Sequence, residues 1–341
     1  MNWVEITGTH GAIAVSTRIR LARNLKGLPF GEKLSDRQAE DLIAKVEQAV
    51  APAAGKGFIT HRMSALSGAE KAALYEKHLI SREMLARRNA AVLLSRGEDI
   101  SVMVGEEDHI RLQVLAGGMA LKDCLEEAMR MDALLQESLY FAYSEQLGFL
   151  TQCPTNLGTG MRASVMLHLP MLTRTGRIDG IINAAGKIGL EVRGLYGEGS
   201  RAQGEFYQVS NSITLGLFET EICEKLQDAV ESIIKEEEAL RAEYRKESPE
   251  ELEDVVWRAA GTMRFARRLS EEETRSLLSD VRLGAACGIL KGIPIETLNQ
   301  LAFNISPAAI QLQAGKELSP QQRDIQRAAM IRRSMATLEE E

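Results

Sequence analysis

Cys153-Pro154-Thr155-Asn156-Leu157-Gly158-Thr159-Gly160-Met161-Arg162-Ala163-Ser164-Val165 is the stretch whose reading decides the fold. It gathers a thiol, a proline, two glycines and an arginine. Pro154 fixes the backbone at the start of a turn. Gly158 and Gly160 allow positive φ or close backbone approach. Arg162 leads into Ser164-Val165-Met166-Leu167-His168-Leu169, which reads as a strand. A turn that offers a thiol and an arginine at the mouth of a sheet suits a reaction site for an anion. The plainer alternative is a tight loop with a free cysteine.

Three other segments carry the same flavour. Gly11 to Arg20 alternates β-branched and polar residues and reads as a strand with Arg18 and Arg20 on one face. Two guanidiniums side by side repel unless an anion lies between them; a solvated basic edge strand is the alternative. Glu106, Glu107 and Asp108 stand between two apolar strands, with Arg111 one strand step beyond. Three consecutive carboxylates are costly there unless they face a cleft or a cation, although an acidic hairpin tip is common. Residues 197–205 form a polar, glycine-rich loop between strands at 191–196 and 206–211. It reads either as a mobile lid or as a simple connection.

The remaining pattern predicts strands at 58–63, 90–94 and 100–104. It predicts helices at 35–50, 67–80, 121–147, 178–188 and 219–246. Beyond Ser248-Pro249 the texture is helical only, at 249–268, 270–288, 295–304, 307–313 and 319–338. The expected class is α+β. Residues 1–246 are read as a sheet-containing catalytic domain and 247–341 as a separate all-α domain.

The chain has 341 residues, a net charge of −7 and 26% charged residues. That is ordinary for a globular protein and supplies no general basic field for nucleic acid. Met1-Asn2-Trp3-Val4-Glu5 has no cationic stretch followed by an apolar one, so no signal peptide is expected. No apolar run approaches the roughly 20 residues of a membrane helix. The four cysteines, 124, 153, 223 and 287, form no Cys-x-x-Cys pair. A reducing cytoplasm, free thiols and no protein-held metal are expected.

No Gly-x-x-x-x-Gly-Lys-[Ser/Thr] is present. Gly158-Thr159-Gly160-Met161-Arg162-Ala163 imitates a dinucleotide fingerprint, but a turn precedes it and a strand follows it, the reverse of what that motif needs. Nucleotide phosphates would therefore be met by side chains. Arg18, Arg20, Arg111, Arg162 and Arg193 are the candidates, because a planar guanidinium gives paired, charge-assisted bonds to phosphate.

The Cys153–Val165 segment closely resembles the signature of the phosphagen (guanidino) kinases. Ser16-Thr17-Arg18-Ile19-Arg20 resembles that family's first nucleotide-phosphate motif. Glu106 to Arg111 resembles a second, with Gly105 where the family usually has asparagine. Lys77-His78-Leu79 resembles a third. The resemblance implies an antiparallel sheet flanked by helices and transfer of a phosphoryl group from ATP to a guanidino nitrogen. It implies nucleotide binding by Ser16, Arg18, Arg20, His78, Arg111, Arg162 and Arg193. Glu107 and Glu198 become the catalytic carboxylates, with Cys153, as a thiolate, touching the same guanidinium. ATP/ADP and Mg2+ are the implied cofactors, the metal held mainly through phosphates.

Met166 replaces a nucleotide-contacting histidine of the family, and Tyr196 an arginine of its free amino-acid kinases. Only 15 residues precede Ser16, where those kinases carry a helical lid domain. With the added C-terminal helices, these traits narrow the likeness to the bacterial protein-arginine kinase branch. Arg323-Asp324-Ile325-Gln326-Arg327-Ala328 resembles that branch's allosteric phosphoarginine-reading site, with Arg323 on the phosphate, Asp324 on the guanidinium and Arg327 beside them. An exposed helix face is the alternative. The implied partners are protein substrates with exposed arginines, a heat-shock transcriptional repressor, a Clp ATPase-protease, a zinc-binding activator protein and a second copy of the chain, in stress response and protein quality control. Two rivals remain: a kinase of a free guanidino compound, and a non-catalytic adaptor that binds phosphoarginine.

Overall fold

Strand β1 (Ala14–Arg23) is the axis of the molecule, paired antiparallel on both sides. The computed structural model describes residue 3, residues 8–195 and residues 202–338. In chain order there follow α1 (Asp36–Val50), β2 (Ile59–Arg62), α2 (Gly68–Glu76), β3 (Ala91–Leu94), β4 (Ile100–Val104), β5 (Ile110–Gly117) and α3 (Leu121–Gln136). A small hairpin, β6 (Tyr143–Ser144) and β7 (Gly148–Phe149), precedes β8 (Met161–His168), α4 (Pro170–Arg174), α5 (Ile178–Lys187), β9 (Leu190–Gly194), β10 (Phe206–Asn211) and α6 (Glu219–Glu247). Among the described residues only helices come after: α7 (Pro249–Phe265), α8 (Glu271–Ala286), α9 (Ile295–Asn304), α10 (Pro307–Ala314) and α11 (Pro320–Ser334). Eight strands make one antiparallel sheet in the order β2-β3-β4-β5-β1-β8-β10-β9. The α+β class expected from the sequence holds.

The register assigns the two faces. Ile19, Leu21, Leu112, Val114, Ala163, Val165 and Val209 point one way and are buried. Helices α3 and α6 cover them. Arg23 sits on this apolar face and is fully buried; its Nε and Nη2 donate to Asp132 of α3 at 2.9 and 3.0 Å. A buried charge needs such a partner. The opposite face carries Arg18 and Arg20 of β1, Arg111 of β5, Arg162 of β8 and Arg193 of β9. Its far end is closed by Met63, Leu79, Met84, Val92, Met103 and Leu115, joined by Trp3 and by Phe303 of α9. The buried apolar residues of α7, α8 and α9 are continuous with the core beneath the sheet.

Two predicted helices stop early. The one expected over 121–147 ends at Gln136. Tyr140 to Ala142 instead lie along the end of β1: Lys26 N donates to Tyr140 O at 2.8 Å and Ala142 N to Asn24 O at 2.7 Å. The helix expected to reach Ile80 ends at Glu76. His78 takes a left-handed conformation, φ 59°, and its carbonyl accepts from Gln113 Nε2 at 2.7 Å. β1 also runs three residues past its expected end at Arg20, because Leu21, Ala22 and Arg23 find partners on β5. No described helix is long and apolar enough to cross a membrane.

Candidate active site

Residues opposite one another on antiparallel strands project to the same side. Arg20 pairs with Gln113 and with Arg162; Arg18 with Ser164; Ala22 with Arg111. Ser210 pairs with both Ser164 and Glu191, and Gln208 with Arg193. One face of five neighbouring strands thus bears Arg18, Arg20, Arg111, Arg162 and Arg193. All five line a single cleft of about 510 Å³, together with His78, Glu107 and Cys153. Ser16 lines a narrow slot that opens beside it, with Trp3, Arg18, His78 and Met166.

The Cys153 segment reaches the cleft because its glycines allow it. Gly158, at φ +98°, lies so close to Thr214 that a Cβ would sit 2.3 Å from the Thr214 oxygen; at Gly160 a Cβ would meet the Ala22 oxygen at 2.7 Å. Thr214 Oγ1 donates to the carbonyls of Thr155 and Leu157 at 2.8 and 2.6 Å. Arg23 Nη1 donates to Thr159 O at 3.0 Å. Cys153 Sγ lies 3.0 Å from Thr155 Oγ1.

The three carboxylates before β5 do three different things. Glu106 is buried, ion-paired to Arg111, and accepts from Glu107 N at 2.9 Å. Asp108 is buried and accepts from Asn24 Nδ2 at 2.6 Å and from Gln152 N at 2.8 Å. His109 completes the clamp: its N donates to Asn24 Oδ1 at 2.8 Å and its Nδ1 accepts from Leu25 N at 2.9 Å. The middle residue, Glu107, is the one left facing the cleft. Asp108 therefore ties the loop carrying Glu107 to the residue just before Cys153. Burial first, then repulsion from Asp108 and Glu106, raises the Glu107 carboxyl above the usual carboxylate range, against the pull of Arg111.

Charge crowding shapes the floor. Arg20 is pushed well below the usual guanidinium value by burial and then by Arg18, Arg111 and Arg162, with Glu106 opposing. The Nε groups of Arg20 and Arg162 are buried without a hydrogen-bond partner among the described residues. His78 is pushed down to about 3 by burial and then by Arg18, Arg275 and Arg20, so it is neutral at working pH. Its ring meets Phe303 edge-on at 5.6 Å.

Glu198 and Tyr196 lie outside the described residues. In α11, Arg323 Nη1 donates to Leu318 O at 3.0 Å, and Asp324 is partly exposed. Arg327 is buried and donates to Ile305 O at 2.6 Å, Leu269 O at 2.8 Å and Asp324 Oδ1 at 2.7 Å. Its guanidinium is spent inside the helical region rather than on the surface.

Sequence reasoning passed over Glu106 and Glu191. Glu191 is ion-paired to Arg162, and its Oε1 lies 2.5 Å from Arg193 Nη2. The signal for Glu106 was the cost of three adjacent carboxylates. For Glu191 it was the two-residue step to Arg193 along a strand. The Phe303 contact carried no local signal.

Residues 41–240 match the description "ATP:guanido phosphotransferase, C-terminal catalytic domain", and residues 249–341 match "Protein-arginine kinase McsB C-terminal domain". The chain is 44% identical to a protein-arginine kinase of Pelotomaculum thermopropionicum over 99% of its own length and 96% of that protein. It is 45% identical to one of Moorella thermoacetica over 98% and 97%. Its fold is similar to the crystal structure of lombricine kinase, with a TM-score of 0.61, 24% identity and 68% of each chain covered. The chain belongs to the ATP:guanido phosphotransferase, or phosphagen kinase, family, and its reaction is phosphoryl transfer to a guanidino nitrogen.

Proposed function

We infer that this chain is an ATP-dependent protein-arginine kinase, moving the γ-phosphoryl group of ATP to an arginine side chain of a polypeptide. One observation carries the reading: the five arginines of the sheet face line the same cleft as Glu107 and Cys153. Near full-length similarity to protein-arginine kinases supports the polypeptide acceptor.

Phosphoryl transfer asks the protein for positioning and charge neutralisation more than for covalent chemistry. In this reading Arg18, Arg20, Arg111, Arg162 and Arg193 bind the phosphates through fork-shaped donors. Ser16 and neutral His78 sit toward the nucleoside. Among the described residues no three His, Cys, Asp or Glu side chains come together as a metal site. We propose that magnesium would come with the nucleotide and would supply charge neutralisation at its phosphates.

The acceptor guanidinium has a pKa above about 12 and cannot deprotonate freely. A nitrogen–phosphorus bond forms as the bond from the γ-phosphorus to the bridging oxygen breaks; ADP leaves and the guanidinium gives up one proton. Glu107, with its raised pKa, is suited to take that proton. Glu198 is proposed as the second carboxylate, and Cys153 as a contact for the same guanidinium. For α11 we propose that Arg323 and Asp324 read phosphoarginine, with Arg327 holding Asp324 in place.

The test is transfer itself. The chain is incubated with ATP, magnesium and an unfolded arginine-containing protein, and acid-labile phosphate on arginine is read by mass spectrometry. Phosphoarginine on the protein is expected. Phosphate on free arginine alone would establish a small-molecule kinase instead.

A further inference from the structure

The two arginines nearest the β9 edge are bridged by one carboxylate. Glu191 Oε2 is ion-paired to Arg162 Nη2, and Glu191 Oε1 lies 2.5 Å from Arg193 Nη2. Arg162 Nη2 also donates to Ser210 Oγ at 3.0 Å. We propose that Glu191 is a built-in competitor for phosphate, contending with the nucleotide for Arg162 and Arg193 and thereby setting how tightly ATP binds and how readily ADP leaves. The proposal rests on the kinase reading of the cleft.

The arrangement resembles what a phosphate would adopt there. A carboxylate offers two oxygens to two guanidiniums, as a phosphate does, but with less charge and fewer acceptors. Both arginines line the cleft, and Glu191 faces Ser210 across the β9–β10 pair. Arg162 has a buried Nε–H with no partner among the described residues. The carboxylate therefore satisfies the arginine only in part, and a ligand with more oxygens would satisfy it better.

Glu106 makes the contrast. It too is paired to a phosphate-side arginine, but it is 1% exposed and also accepts from the Glu107 backbone. Removing it would take from Arg111 its ion-pair partner and from the Glu107 backbone N–H its acceptor, so Glu106 acts as a brace. The Glu191 side chain is 30% exposed, on the last strand of the sheet, where solvent can receive it when it lets go. Burial works against its charge, but bonds from Arg193 and Arg162 outweigh that and hold its pKa below the usual range. It stays an anion, and so a competitor, across the working pH range.

A competitor and a brace predict opposite signs. ADP binding is measured by calorimetry, and ATP KM and kcat by steady-state transfer, for the full chain and for Glu191→Gln and Glu191→Ala. Removing a competing, partly exposed ion pair should tighten ADP binding and lower the ATP KM by roughly three- to fivefold. The gain should shrink at high salt, while the melting temperature barely moves. Unchanged or weaker ADP binding in either folded variant would overturn the proposal and make Glu191 a brace. Failure of the unaltered chain to bind ADP would instead overturn the kinase reading beneath it.

Discussion

Arg20 of β1 and Arg162 of β8 stand directly opposite each other across an antiparallel pair. Like charges at such positions destabilise a sheet. Arg18 and Arg111 add to the repulsion felt by Arg20, and Glu106 relieves part of it. A fold keeps such a cluster only where an anion offsets it.

Arg20→Gln should therefore trade function for stability. We expect the folded chain to gain up to about 1 kcal/mol, because a cross-strand repulsion is removed. ADP affinity should fall by at least about tenfold, the loss of one charge-assisted contact. Denaturant unfolding and calorimetry on the same sample read both. A variant that loses stability and keeps ADP would contradict a phosphate-binding role for the clustered arginines.

Glu107→Gln should separate chemistry from binding. The neutral amide cannot accept a proton, so transfer should fall by about 10²–10⁴-fold. ADP affinity should change little, because Arg111 keeps its partner Glu106. In the unaltered chain the acid limb of the rate profile should lie above the ordinary carboxylate range, since the Glu107 pKa is raised. Rates rise as pH climbs through that value and the carboxylate forms.

His78 should make the fold acid-sensitive. Its folded-state pKa is about 3, below the ordinary 6.5. Between those values the unfolded chain binds a proton that the folded chain refuses. The stability contributed is complete above 6.5 and is lost as pH falls toward 3. His78→Gln should flatten part of the decline in melting temperature between about pH 6.5 and 4.5. Burial sets this window first, and the neighbouring charges of Arg18, Arg275 and Arg20 widen it.

Arg323 and Arg327, four residues apart on α11, should behave differently. Arg327→Ala strands two buried carbonyls and should cost about 2–4 kcal/mol, while the Asp324 carboxylate, partly exposed, can turn to water. Arg323→Ala removes a half-buried side chain that donates to Leu318 O at 3.0 Å and, at 3.5 Å, to Gln311 Oε1, and should cost about 1 kcal/mol. If Arg323 reads phosphoarginine, its variant should lose binding of free phosphoarginine while its melting temperature stays near that of the unaltered chain.

Much of this was legible in the chain. Alternation along Gly11–Arg20 put Arg18 and Arg20 on one face, and the Cys153–Val165 segment named the turn, the strand and Arg162. What stayed hidden depends on partners far away in sequence. Asp108 clamps Asn24 and Gln152, and no local pattern joins three residues so far apart. His78 lies in helical spacing but breaks the helix, because Gln113 claims its carbonyl. The apolar run past Gln136 keeps helical periodicity to Leu139, yet pairing with the end of β1 draws Tyr140–Ala142 away. Phe303 reaches the site from a helix that the sequence placed in a different domain.

The most direct measurement is a competition. An unfolded protein and free arginine are supplied together at equal guanidino concentration with labelled ATP, and the label on each is counted. Label should accumulate on the protein and vanish with Glu107→Gln. Label carried mainly by free arginine, or label on the protein that survives Glu107→Gln, would contradict the account.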